Sequence, residues 1–163
     1  MRAKRLTHLD ESGRASMVDV SGKQTSHRTA IARGAVTFGP EAFRLLRKGS
    51  LAKGDAIAVA RLAGIQAAKR TSEWIPLCHQ VPLTRIDVAI DLSARGRSAR
   101  ITASAEATGT TGVEMEALVA VTAAALTLYD MTKGVDRGAV LGPIELVEKR
   151  GGRSGTWRRD LVR

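Results

Sequence analysis

Hydrophobic positions along the chain change period several times, and each change marks an element. From Thr29 to Phe38, Ala30, Ala32, Gly34, Val36 and Phe38 alternate with the rest, the period-two signature of a strand. Gly39-Pro40 then opens a short helix, with proline at an allowed first-turn position, and Gly49 closes it. From Asp55 to Arg70 the period lengthens. Ala56, Ala60, Ala63, Gly64 and Ala67 recur at helical spacing and make a stripe of minimal side chains that another backbone can approach closely. Ser72 to Pro82 carries two prolines and no period, and reads as a loop.

Two runs of clean alternation follow. In Thr84–Leu92, Ile86, Val88, Ile90 and Leu92 oppose Arg85, Asp87, Ala89 and Asp91. In Ala99–Ala107, Ile101, Ala103 and Ala105 oppose Arg100, Thr102, Ser104 and Glu106. With a turn over 93–98 they predict an antiparallel hairpin. The glycine-threonine loop 108–112 leads into a long, almost wholly apolar helix from Val113 to Met131. So little polar surface implies burial on most sides, partly against another subunit. Pro143 to Lys149 is a last strand. The order strand, two helices, strand, strand, helix, strand is that of an α+β, ferredoxin-like split β-α-β fold, an antiparallel sheet with helices packed on one face. The polar residues 1–26 hold no such pattern. The whole chain, 1–163, is expected to be one domain with a flexible N-terminal arm (about 1–15) and a flexible basic tail (about 151–163).

Composition narrows the class. Only 3% of residues are aromatic, so the core is built from Ala, Val, Ile and Leu. The single cysteine, Cys78, permits no internal disulfide, no signal peptide is evident, and no run approaches the ~20 apolar residues of a membrane span. The expectation is a cytoplasmic protein that meets no membrane. A formal net charge of +10 points to an anionic partner. Nucleic acid is disfavoured, because sheets of this class stack bases on aromatics. Here Phe38, Phe43, Trp74, Tyr129 and Trp157 are scattered, and neither hairpin strand holds one. A catalytically idle structural subunit is a further class.

Four clusters carry candidate chemistry. Leu77-Cys78-His79 lies in the proline-flanked loop. Read alone it is a substrate-contacting loop, a structural cysteine, a thiolate or a metal pair, although zinc needs three or four ligands. Thr111 and Glu114 have capping-box spacing, while Glu114 and Glu116 bracket Met115 and point in different directions, so one can cap and another can accept from the N–H groups of a guanine-like ring. Asp130 and Lys133 stand one turn apart. They form either a weak surface pair or an acid–base unit. Lys53-Gly54-Asp55 precedes the small-faced helix and Lys69-Arg70 ends it. Lys53 beside glycine can reach phosphate oxygens, with no Walker sequence present.

Taken together, six blocks resemble the cyclic pyranopterin monophosphate synthases, the molybdenum cofactor biosynthesis protein C family. They are Met17-Val18-Asp19-Val20-Ser21, Lys53-Gly54-Asp55, the run from Ala63 to Thr71, Ile75-Pro76-Leu77-Cys78-His79, the run from Thr111 to Leu118, and Leu128-Tyr129-Asp130-Met131. The resemblance runs from about Leu6 to about Gly155. It implies a ferredoxin-like fold and a cyclised dihydroguanosine triphosphate substrate. It also implies cyclic pyranopterin monophosphate and pyrophosphate as products, no cofactor or metal, and a homohexamer (a trimer of dimers) with active sites between subunits. By position it implies Asp130, Lys53 and Lys133 as catalytic. Leu77, Cys78, His79, Met115 and Glu116 would be substrate-binding, and Glu114, Lys69, Arg28 and Lys149 would lie at pocket positions. Arg153 stands where the family often has lysine, exchanging a compact ammonium for a planar fork.

Overall fold

A computed structural model describes residues 12–160. Residues 1–11 of the expected N-terminal arm and 161–163 of the tail lie outside the described residues. The elements run β1 (Ser26–Thr37), α1 (Pro40–Lys48), α2 (Ala56–Ala68), α3 (Thr71–Trp74), β2 (Arg85–Ser93), β3 (Ser98–Gly109), α4 (Glu114–Thr132), β4 (Val140–Leu141), β5 (Glu145–Arg150) and β6 (Trp157–Arg158). The sheet order is β2-β3-β1-β5-β6, with β4 pairing β1, and every pairing is antiparallel. Without the two-residue strands, this is the split β-α-β order that the hydrophobic pattern predicts, and the helices lie on one face.

Alternation decides which side of each strand is buried. Ala30, Ala32, Val36 and Phe38 of β1 and its extension are at most 2% exposed. So are Ala99, Ile101, Ala103, Ala105 and Ala107 of β3. With so many alanines on the inner face, α4 can settle close to the sheet, and Val113, Ala117, Ala120, Val121, Ala124 and Leu128 fill that layer. Asp55 caps α2 by accepting from the Ala58 N–H at 3.0 Å. The small stripe of α2 then meets α4. A Cβ added at Gly64 would lie 2.8 Å from the Ala120 carbonyl oxygen, so only glycine permits this approach. Val59 and Leu62 of α2 and Leu126 of α4 stay exposed on the outer surface.

Four expectations are corrected. The segment 72–82 is not wholly loop, because α3 turns once at its start. At 19 residues, α4 is long and apolar enough to cross a membrane by length and composition, where no run was expected to approach that; its burial against β1, β3 and α2 makes it a core helix. The N-cap of α4 is Val113 with no side-chain cap bond, so Thr111 and Glu114 do not form a capping box. The tail is also ordered beyond Gly152: β6 pairs with β5, the Arg159 N–H donates to the Val147 carbonyl at 2.9 Å, and its Nε donates to the Leu146 carbonyl at 2.8 Å.

Candidate active site

β3 delivers the chain to the Thr110–Val113 loop, and α4 begins at once. That junction, together with the 75–81 segment, walls a cleft of about 530 Å³ lined by Ile75, Leu77, Cys78, His79, Glu114, Met115 and Glu116. The two separate sequence clusters around Cys78 and Met115 therefore face one space. Glu116 is only 4% exposed. Burial pushes its carboxyl up to about 7, and the Glu114 charge pushes the same way against a backbone N–H that favours the anion. A carboxyl balanced near neutrality can both accept and donate a hydrogen bond, which suits the mixed edge of a guanine-type ring. Burial, and the Glu116 charge after it, raise the Cys78 thiol, so it is a packing and contact group and not a ready thiolate. The His79 Nε2 lies 2.8 Å from the Val18 carbonyl. A carbonyl only accepts, so Nε2 carries the proton, and the Met17–Ser21 segment is tied to the cleft wall.

The buried Glu116 carries a stability prediction. Its carboxyl titrates near 4.5 when unfolded and near 7 when folded, so between those values the native chain holds more protons. Stability must then fall as pH rises through that window. Glu116→Gln removes the loss. Allowing for solvent at the cleft mouth, it is expected to be more stable than the parent by on the order of 1–2 kcal/mol at about pH 8, the difference closing towards about pH 4. Urea unfolding at the two pH values measures this, and a difference that does not change with pH would contradict it.

A second, basic cleft of about 740 Å³ adjoins the first through Thr111 and Gly112. Its wall includes Lys23, Ser26, Arg28, Thr110, Gly152, Arg153 and Ser154. Arg28 shares the inward face of Ala30 and Ala32, at the end of β1 nearest the start of α4. Its Nη2 donates to the Thr110 carbonyl at 3.3 Å. Lys149 reaches the same region through a β-bulge. Ala32 pairs with Leu146 but Ile31 with Glu148, which leaves Val147 unmatched and places Lys149 opposite Ala30. The extra residue turns Lys149 to the helix face, where its Nζ bonds the Ser154 hydroxyl. Lys23 and Ser154 were not singled out from sequence. The only hint was the glycine-rich run 151–155.

The third group lies elsewhere. α2 and α4 pack antiparallel, so the loop before α2 meets the last turn of α4. There the Lys53 Nζ donates to Asp130 Oδ2 at 2.7 Å and to its main-chain carbonyl at 2.8 Å, and the Lys133 Nζ lies 2.6 Å from Oδ1. The Lys133 and Lys53 hydrogen bonds hold the Asp130 carboxyl down at about 2, and Asp130 in turn raises Lys133. All three side chains are half-exposed. Fourteen residues of α4 separate Glu116 from Asp130. At 1.5 Å per residue the cluster and the cleft are about 21 Å apart. Lys69 follows α2 at the cleft end but lines neither cleft.

Known proteins are similar to this chain in sequence. The MoaC family pattern matches residues 17–152. The cyclic pyranopterin monophosphate synthase of Thermomicrobium roseum is 57% identical over 95% of this chain and 93% of its own length. That of Parvibaculum lavamentivorans is 50% identical over 97% and 99%. The human molybdenum cofactor biosynthesis protein 1 is 50% identical over 98% of this chain, which spans 25% of that longer protein. The chain therefore belongs to the MoaC family.

Proposed function

We propose that the chain, as one domain, converts a cyclised dihydroguanosine triphosphate to cyclic pyranopterin monophosphate with release of pyrophosphate, in molybdenum cofactor biosynthesis. The observation that carries this reading is the joined pair of clefts, supported by the name its relatives bear. One cleft is apolar with a near-neutral carboxyl, suited to a pterin ring. Its neighbour is basic, suited to a triphosphate. In the chemical step a substrate hydroxyl attacks the first phosphorus and the bond to the second phosphate's bridging oxygen breaks. Pyrophosphate leaves, and no electrons are exchanged with a redox partner. Glu116, Met115, Leu77, Cys78 and His79 hold the ring. Arg28 and Lys149, with Lys23 and Arg153, offset phosphate charge. Asp130, Lys53 and Lys133 move protons.

That assignment needs a second copy. Proton-transfer groups must come within about 3 Å of the atoms they serve, and the lysine–aspartate cluster is some 21 Å from its own chain's ring cleft. We read the assembly as a homohexamer, a trimer of dimers, in which one copy's cluster completes another's clefts. The exposed Val59, Leu62 and Leu126 support a covered surface beside the cluster-bearing helices. The single cysteine accords with the reducing cytoplasm.

Turnover tests the function. Purified protein is incubated with the cyclised triphosphate, and pyrophosphate and the oxidised fluorescent pterin are followed together. The expected result is equimolar release of both. Folded protein that binds the substrate but releases neither would refute the assignment.

A further inference from the structure

The basic cleft holds its central cation in an unusual way. Among the described residues Arg28 has no carboxylate partner, and its guanidinium bonds the Thr110 carbonyl. Its Nε is buried without a hydrogen-bond partner, and so is the Ser26 hydroxyl two residues earlier on the same strand face. A charged group without a counter-ion must be held by shape, and the shape is supplied from the far end of the chain. Gly151 and Gly152 leave β5 with φ of +94° and +71°. A Cβ at 152 would overlap Nη1 of Arg28 and lie 2.6 Å from Cζ and 3.0 Å from Nη2. One at 151 would overlap the His27 carbonyl and lie 3.2 Å from the Arg28 Cδ. The stem and guanidinium of Arg28 therefore rest on bare backbone, with Thr110 on the other side.

We propose that Gly152 is a positioning residue: its missing side chain seats Arg28 so that the guanidinium faces the basic cleft and meets the pyrophosphate portion of the substrate. This rests on the phosphate reading of the basic cleft. Gly152 touches no ligand; it acts through Arg28. Displacing the guanidinium removes a charge-assisted contact to phosphate, so the effect falls on phosphate affinity and much less on chain folding.

The test uses asparagine, the non-glycine residue most tolerant of positive φ. Gly152→Asn keeps the backbone accessible while intruding on Arg28. Gly155→Asn is the control: Gly155 lies in the same tail at φ +61° with open space around its Cβ position. Inorganic pyrophosphate binding is measured by calorimetry, and KM and kcat by turnover. Gly152→Asn is expected to weaken pyrophosphate binding and raise KM roughly tenfold or more, with kcat changed far less. Gly155→Asn should match the parent. In an Arg28→Ala background, Gly152→Asn should add nothing further. Parental pyrophosphate affinity in Gly152→Asn, an equal loss in Gly155→Asn, or a full additional loss on top of Arg28→Ala would each overturn the proposal. Parental affinity in Arg28→Ala alone would overturn the phosphate reading itself, and this proposal with it.

Discussion

Asp130→Asn is expected to lower turnover by on the order of 10²–10⁴-fold while the chain still folds. The geometry sets both halves of that expectation. Among the described residues Asp130 is the only anion paired with Lys53 and Lys133, and both ammonium groups are aimed by it. Asparagine preserves shape but removes the charge that orients them and the carboxylate that accepts a proton. In the free chain the carboxyl is held at about 2, a weak base at neutral pH. Substrate phosphates must therefore draw the lysines away, releasing Asp130 as a stronger base where the proton moves. Stability responds little, because exposed ion pairs are screened. It responds with a defined sign. The carboxyl pKa is depressed from 3.8, so the cluster's contribution is complete above about pH 4 and is lost as pH falls towards 2, and the asparagine variant lacks that acid limb. Single-turnover assays beside thermal melts across pH measure both. Parental turnover from the folded variant would remove Asp130 from the chemistry.

Much of the fold was legible because the core is made by alternation and small-residue stripes, which are local signals. Ala30 to Phe38, Ile86 to Leu92 and Ala99 to Ala107 announce their faces residue by residue, and the α2 stripe announces its close approach. The features that escaped are short or tertiary. α3 and β6 are too brief for any period to show. The bulge at Val147 exists only by comparison with β1, yet it decides which way Lys149 points. The capping box failed for a similar reason. Glu114 folds over Gly112, where a Cβ would lie 2.7 Å from its Cδ, instead of reaching back to cap the helix. The candidate residues were visible as separate clusters. The residues' own pattern did not group them, and only the family resemblance did, because it is the antiparallel packing of α2 on α4 that brings Lys53 to Asp130 and the fold of the 75–81 segment that brings Cys78 to Glu116.

In the proposed assembly one reaction uses groups from both ends of α4, supplied by two copies. Two impaired variants, assayed at substrate far below KM, test it directly. Asp130→Asn disables the cluster proposed to move protons, and Arg28→Ala removes the proposed phosphate contact. If each site takes its clefts from one copy and its cluster from another, a mixed assembly rebuilds intact sites that neither parent contains. For sites shared across a two-fold interface, random mixing leaves about a quarter of them with both parts native. The two proteins would be unfolded together, refolded as a mixture and assayed for pyrophosphate release beside each variant alone. Turnover near a quarter of the parent's is expected. Activity no greater than the sum of the two variants, in a mixture shown to contain mixed assemblies, would contradict the shared site.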